Sequence, residues 1–263
     1  MAFSFGETFV NKGDEIIVSE SEHHSDIVPW QMLCQRKGAV LRVLHVDEDG
    51  HLNLEELKSL LNPKTRIVAV TQISNVLGIL NPVKEIVSIC HSVGCPVLID
   101  GAQGMVHEGV DVQDVDCDFY AFSGHKLYAA TGTGVLYGKR KWLDQMVPYQ
   151  GGGEMIATVR FSGTTYAPLP EKFEAGTQNI NAIPTLKPAI EMLKLMKDKE
   201  LLNAQEAVSQ YLLHALTSNP RIRLYGVPRG TETKIPLFSF SVEGAHHEDL
   251  ALILDKMGTV SYT

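Results

Sequence analysis

The chain has 263 residues, 44% hydrophobic and 21% charged, with a formal net charge of −8. This is ordinary globular composition, long enough for a sizeable core, and its acidic balance offers no basic stripe, which argues against nucleic acid as a partner. No apolar run reaches the roughly 18 residues of a membrane-spanning helix, so a helical membrane protein is excluded.

In chain order, AFSFGETFV at the start reads as the tail of a helix, and the opening residues lack the charged start and long apolar core of a signal peptide. Residues 14–20 (DEIIVSE) form a short β-rich run. VPWQMLCQRKG is helical, with Gly38 as its stop, and residues 39–46 are the next strand. Residues 53–61 are a helix capped by Asn53, and residues 65–73 are strongly β. Residues 81–94 read as a helix with proline in its first turn and glycine after its end. PVLID, residues 96–100, is a buried strand that ends in a carboxylate, and residues 117–123 and 133–139 are further strands. Such alternation predicts an α/β fold with a mostly parallel sheet covered on both faces. In such sheets the site lies outside the carboxyl ends of the strands. Residues 149–188 are rich in Gly, Pro and Thr and read as a long connection that carries function. Residues 188–219 read as a long helix, whole or broken, 236–244 as a strand and 247–258 as a helix. The expected division is a large domain over 1–187 and the start of a smaller one over 188–263. Cys34, Cys90, Cys95 and Cys117 form no CxxC and no secreted disulfide framework, so a reducing, cytoplasmic setting is expected.

Three strand ends carry polar residues: Asn75, Asp100 and the Ser123–Lys126 run. Each alone is a turn, capping or surface residue; Lys126 alone would be a solvated lysine. In order, LIDGAQ and then SGHK suit a cofactor that needs a carboxylate, phosphate donors and an amine. Pyridoxal phosphate is such a cofactor. Its aldehyde condenses with a lysine, and a carboxylate keeps its pyridine nitrogen protonated. On this reading Asp100 pairs with the ring nitrogen, Ser123 and His125 hold phosphate oxygens, and Lys126 takes the aldehyde. The paired histidines His23–His24 and His246–His247, read as strand neighbours facing opposite ways, argue against a metal, and HExxH is absent.

Six collinear motifs carry a family resemblance: EHHSDIVPWQ, SNVLG, LIDGAQ, FSGHKLY with GTGVLYG, GGGEMI and FEAGTQN. The sequence resembles the class-V-aminotransferase-like enzymes of fold type I that contain cysteine desulfurases and selenocysteine lyases, and looks closest to the desulfurase of the Suf iron–sulfur assembly system. The resemblance implies a homodimer that takes sulfur from L-cysteine, or selenium from L-selenocysteine, and passes it to an acceptor protein. It adds roles: His23 stacks on the pyridine ring and moves protons, and Asn75 and Gln103 sit by the phenolic oxygen. Thr177 reaches a neighbouring subunit's phosphate. Gly132 and Gly134 let the backbone pass close to the cofactor. It also implies truncation at both ends. A Gly-Thr-Thr turn would precede the chain. An arginine-bearing strand, near Tyr262, and a catalytic-cysteine loop would follow it. None of the four cysteines matches that nucleophile; all read as packing residues. The alternative is a fragment that binds cofactor without turnover, or a nucleotide-binding module.

Overall fold

Six strands form one sheet in the order β2-β1-β3-β4-β5-β6. They are β1 (Glu15–Ser19), β2 (Val40–Leu44), β3 (Thr65–Thr71), β4 (Val97–Asp100), β5 (Phe119–Ser123) and β6 (Gly134–Gly138). All neighbours run parallel except β6, which is antiparallel to β5. The structure, a computed structural model, describes residues 1–198, 203–227 and 234–259.

The two-residue period of a strand sorts its side chains into two cores. Ile17, Val68, Val70, Val97, Ile99 and Tyr120 face one way, and α3 (Leu54–Leu60) and α4 (Val83–Ser92) cover them through Leu57, Ile86, Val87 and Cys90. Ile16, Val18, Ile67, Ala69, Leu98 and Phe119 face the other, under α1 (Ala2–Phe9) and α2 (Val28–Lys37), whose Phe5, Trp30 and Leu33 are buried. The near-continuous apolar runs of the central strands follow from this two-sided burial.

Local signals end the helices where the sequence places them. Gly38 takes φ 67° after α2, and its N–H bonds back to Cys34 O. Asn53 Oδ1 accepts from the N–H groups of Glu55 and Glu56 at 3.1 and 3.0 Å, which caps α3.

Short helices α5 (Gly104–His107), α6 (Val112–Val115) and α7 (Arg140–Leu143) link or follow the later strands. The Gly- and Thr-rich stretch after Tyr149 is not only connection: it folds an antiparallel hairpin, β7 (Ile156–Arg160) and β8 (Gly163–Tyr166). The helical stretch that follows is seen as α8 (Leu186–Asp198) and α9 (Asn203–Thr217). A second unforeseen strand, β9 (Ile222–Tyr225), pairs antiparallel with β10 (Ser239–Val242), and α10 (His247–Lys256) follows. Residues 260–263, with Tyr262, lie outside the described residues. His246 caps α10 and His247 begins it, while His23 caps a 3-10 turn that starts at His24, so neither histidine pair lies on a strand. No helix of the described residues is long and apolar enough to cross a membrane.

Candidate active site

β4 ends on Asp100, and the parallel β5 brings Ser123 to the same edge, with Asp100 opposite Ala121. The chain then makes a 3-10 turn over Gly124–Leu127, with His125 exposed and Lys126 half-buried. This turn packs against α5, which begins directly after Gln103. His23 follows the end of β1 and Asn75 the end of β3. Seven of the eight sequence-derived candidates therefore gather at the carboxyl edge of four adjacent strands: His23, Asn75, Asp100, Gln103, Ser123, His125 and Lys126. Thr177 stands apart, exposed in the segment after Gly176, whose N–H bonds to Gly153 O at 3.0 Å.

Two groups at this edge, on Asp100 and Lys126, keep free bonding capacity among the described residues. Asp100 uses Oδ1 to accept from Ala102 N at 2.8 Å. The Lys126 amine has no carboxylate or hydrogen-bond partner among the described residues, although its side chain is half-buried. A half-buried amine without a counter-charge suits covalent capture or an anionic ligand. The carboxylate, the free amine and the hydroxyl and imidazole of Ser123 and His125 match the donor set that pyridoxal phosphate requires.

A Cβ on Gly134 would stand 2.9 Å from Phe122 O, so this glycine allows close strand pairing. Gly132 has φ 78°, a left-handed turn that favours glycine. A further tight approach lies at Gly124, where a Cβ would meet Thr133 Oγ1 at 2.4 Å.

Several residues of the site escaped the sequence reading. Tyr120 O–H donates to Gln72 Oε1 at 2.6 Å, and a Cβ on Gly101 or Gly104 would strike Tyr120 or Gln72 respectively. The LIDGAQG glycines thus seat this loop on a buried Tyr–Gln floor. The Asn75 loop is gripped from the far end of the chain. Ile235 N donates to Gly78 O at 3.0 Å, Ser239 Oγ to Val76 O at 2.5 Å, and Lys234 Nζ to Leu77 O. Burial lowers Lys234 to about 8. Glu22 and Asp26, either side of the exposed His23, are 7% and 6% accessible. Burial raises both, Glu22 well above the carboxylate range and Asp26 to about 7; indole donation from Trp30 opposes the rise of Asp26, and the nearby Asp100 adds to it. The EHHSDIVPWQ motif contains both acids, but nothing local marks them as buried.

All four cysteines are buried and free. Burial raises every thiol, Cys90 to about 12 and Cys117 to about 11. None is a ready nucleophile. Cavities of about 420 and 190 Å³ lie along α9 and residues 234–238, and neither is lined by Asp100 or Lys126.

Residues 1–261 match the aminotransferase class-V family. The chain belongs to that family. Among relatives of this class-V chain, a cysteine desulfurase of Enterobacter sp. (strain 638) is 46% identical over 264 residues, covering 100% of the chain and 64% of the relative. The cysteine desulfurase CsdA of Escherichia coli superposes with TM-score 0.86 at 37% identity, covering 98% of the chain and 64% of the neighbour. An apo cysteine desulfurase of Thermococcus onnurineus NA1 gives 0.87 at 33%, with the same coverage. The class-V chain thus spans just under two thirds of the length of the relatives it matches. Its mostly parallel sheet and these neighbours establish fold type I.

Proposed function

We propose that this class-V chain binds pyridoxal phosphate at the edge bearing Asp100 and Lys126 and belongs to a cysteine desulfurase that converts L-cysteine to L-alanine and delivers the sulfur for iron–sulfur assembly. The observation that carries the reading is the pairing of a carboxylate and an unpartnered amine at the tips of adjacent strands, in a chain 46% identical to a desulfurase along its whole length.

The bound cofactor would supply an electron sink at a protonated pyridine nitrogen. Asp100 would keep that proton in place through its open oxygen. Ser123 and His125 would hold phosphate oxygens, His23 would cover the ring face, Asn75 would lie near the phenolic oxygen and Gln103 would hydrogen-bond it. Lys126 would hold the cofactor's aldehyde and serve, at Nζ, as the base for the α-proton of L-cysteine. The sulfur acceptor is none of the chain's cysteines, since all four are buried. That observation favours a second reading for these 263 residues, cofactor binding with weak or absent persulfide formation. Selenocysteine lysis would use the same groups, and comparative turnover of the two amino acids separates the two. Thr177, exposed, suits a contact across a homodimer, and free thiols suit the cytoplasm.

The test is direct. Pyridoxal phosphate is added to the purified chain, borohydride is applied, and the modified peptide is identified by mass. Label on Lys126, absent from Lys126→Ala, supports the reading; label on other lysines only refutes it. A visible band that Lys126→Ala abolishes is the spectroscopic counterpart. Cross-linking reads the dimer: a chain that stays monomeric when fully loaded removes the role of Thr177.

A further inference from the structure

Gln72, directly after β3, joins three segments that carry candidate residues. Its main-chain N–H donates to Asp100 O at 2.9 Å, and its carbonyl accepts from Asn81 N at 2.8 Å, just past the loop that bears Asn75. Its Nε2 donates to Gly109 O at 3.3 Å, at the end of the segment that begins with Gln103. Its Oε1 accepts from the Tyr120 hydroxyl at 2.6 Å. Tyr120 lies on β5, the strand that leads into Ser123 and the Lys126 turn. Tyr120 and Gln72 are 1% and 6% accessible. A Cβ on Gly101 would overlap the Tyr120 ring and hydroxyl, and a Cβ on Gly104 the Gln72 amide, so the main chain from Asp100 to Gly104 rests directly on this pair. Asp100 Oδ1 accepts from Ala102 N at 2.8 Å, so the aim of its other oxygen follows the path of residues 100–102.

Apolar groups of the same shape would fill this space without the cost of burying a hydroxyl and an amide. The polar pair adds a directed bond between β5 and the junction residue. We propose that Tyr120 and Gln72 are positioning residues: the bond from the Tyr120 hydroxyl to Gln72 Oε1 fixes the placement of Asp100 and Gln103 relative to Lys126. The inference rests on the reading that gives those three residues to pyridoxal phosphate. The direction of the bond follows from the amide. Its Nε2 is committed to a carbonyl, so Oε1 meets the phenol and accepts. Burial, then Cys117 and Asp100, raise the Tyr120 hydroxyl, which keeps it a donor at neutral pH.

The test separates alignment from stability. Tyr120→Phe keeps the ring and strands the Gln72 oxygen. The double variant, Tyr120→Phe with Gln72→Leu, removes both polar groups. Urea midpoints should fall in the single variant and recover most of that fall in the double. Hydrogen exchange of the cofactor-free chain, followed by mass spectrometry, should rise about tenfold over residues 101–109 in both variants, the order of one lost hydrogen bond, and stay unchanged in β1. Exchange in 101–109 that returns to the wild-type rate in the double variant would reduce the pair to packing and overturn the proposal, as would a rise spread evenly over the sheet. The double variant alone decides if the single variant does not fold. These arms need no cofactor, so they stand apart from the pyridoxal-phosphate reading, whose own failure is a wild-type chain with no visible band and no label on Lys126. In the loaded chain, pyridoxal phosphate should bind about fivefold more weakly in both variants. Wild-type affinity in the double variant would also overturn the positioning role.

Discussion

Asp118 and Asp100 are acids on neighbouring strands of the same sheet, and their environments give them opposite tasks. Asp118 precedes β5 at the edge away from the site. Burial alone would push its carboxyl up, but donation from Trp142, His91 and Val97 N outweighs it and leaves Asp118 below the ordinary range. Those bonds are 2.7, 2.7 and 3.0 Å long. The stability they give is present above the ordinary carboxylate value and is lost as pH falls through the lower folded value. Asp118→Ala strands the indole and an amide, so a loss of about 3 kcal/mol is expected, read from urea unfolding at pH 7, with a smaller loss at pH 3. Asp100 keeps an oxygen open, which is what a ligand needs. Both positions are acids beside strands in the sequence; Asp100 and Lys126 were legible because motif and strand end coincide. Glu22 and Asp26 were not, because burial of an acid depends on Trp30, Thr71 and Asp100, which come from other elements.

Elements whose signals are local were readable. Asn53 before LEELKSL and Gly38 after VPWQMLCQRK mark helix ends by capping chemistry, and the structure uses both. Asn53→Ala should cost about 1 kcal/mol, measured by thermal or urea unfolding. The β7–β8 hairpin escaped because its turn, Phe161–Ser162, is no Asn-Gly type and its strands mix Thr with apolar residues, all of β8 being exposed. β9 escaped because IRLY is short and interrupted by a charge. The grip on the Asn75 loop belongs to this scale too. Lys234→Met removes the donation to Leu77 O while keeping much of the stem. The expected outcome is weaker cofactor or substrate binding by several-fold with thermal stability changed by about 1 kcal/mol or less, and Lys234→Arg should restore binding.

Across the molecule, the doubly covered sheet was legible from strand–helix alternation, and the gathering of the candidate residues at one edge follows from its parallel strands. The same burial hides every thiol. Native-state alkylation should therefore be slow at Cys34, Cys90, Cys95 and Cys117 and rise sharply in denaturant; rapid labelling of one of them in the folded chain would reopen the question of a sulfur acceptor within these residues. Contacts between distant segments could not be read, since pattern and propensity report only neighbours. Leu77 meets Lys234 across 157 residues of sequence. During synthesis on the ribosome, the nascent sheet can assemble while the loop bearing Asn75 still lacks its fastener. That loop acquires its final seat only after the segment around Ser239 leaves the exit tunnel, so competence to hold a ligand there arrives late in translation, well after the scaffold that supports it.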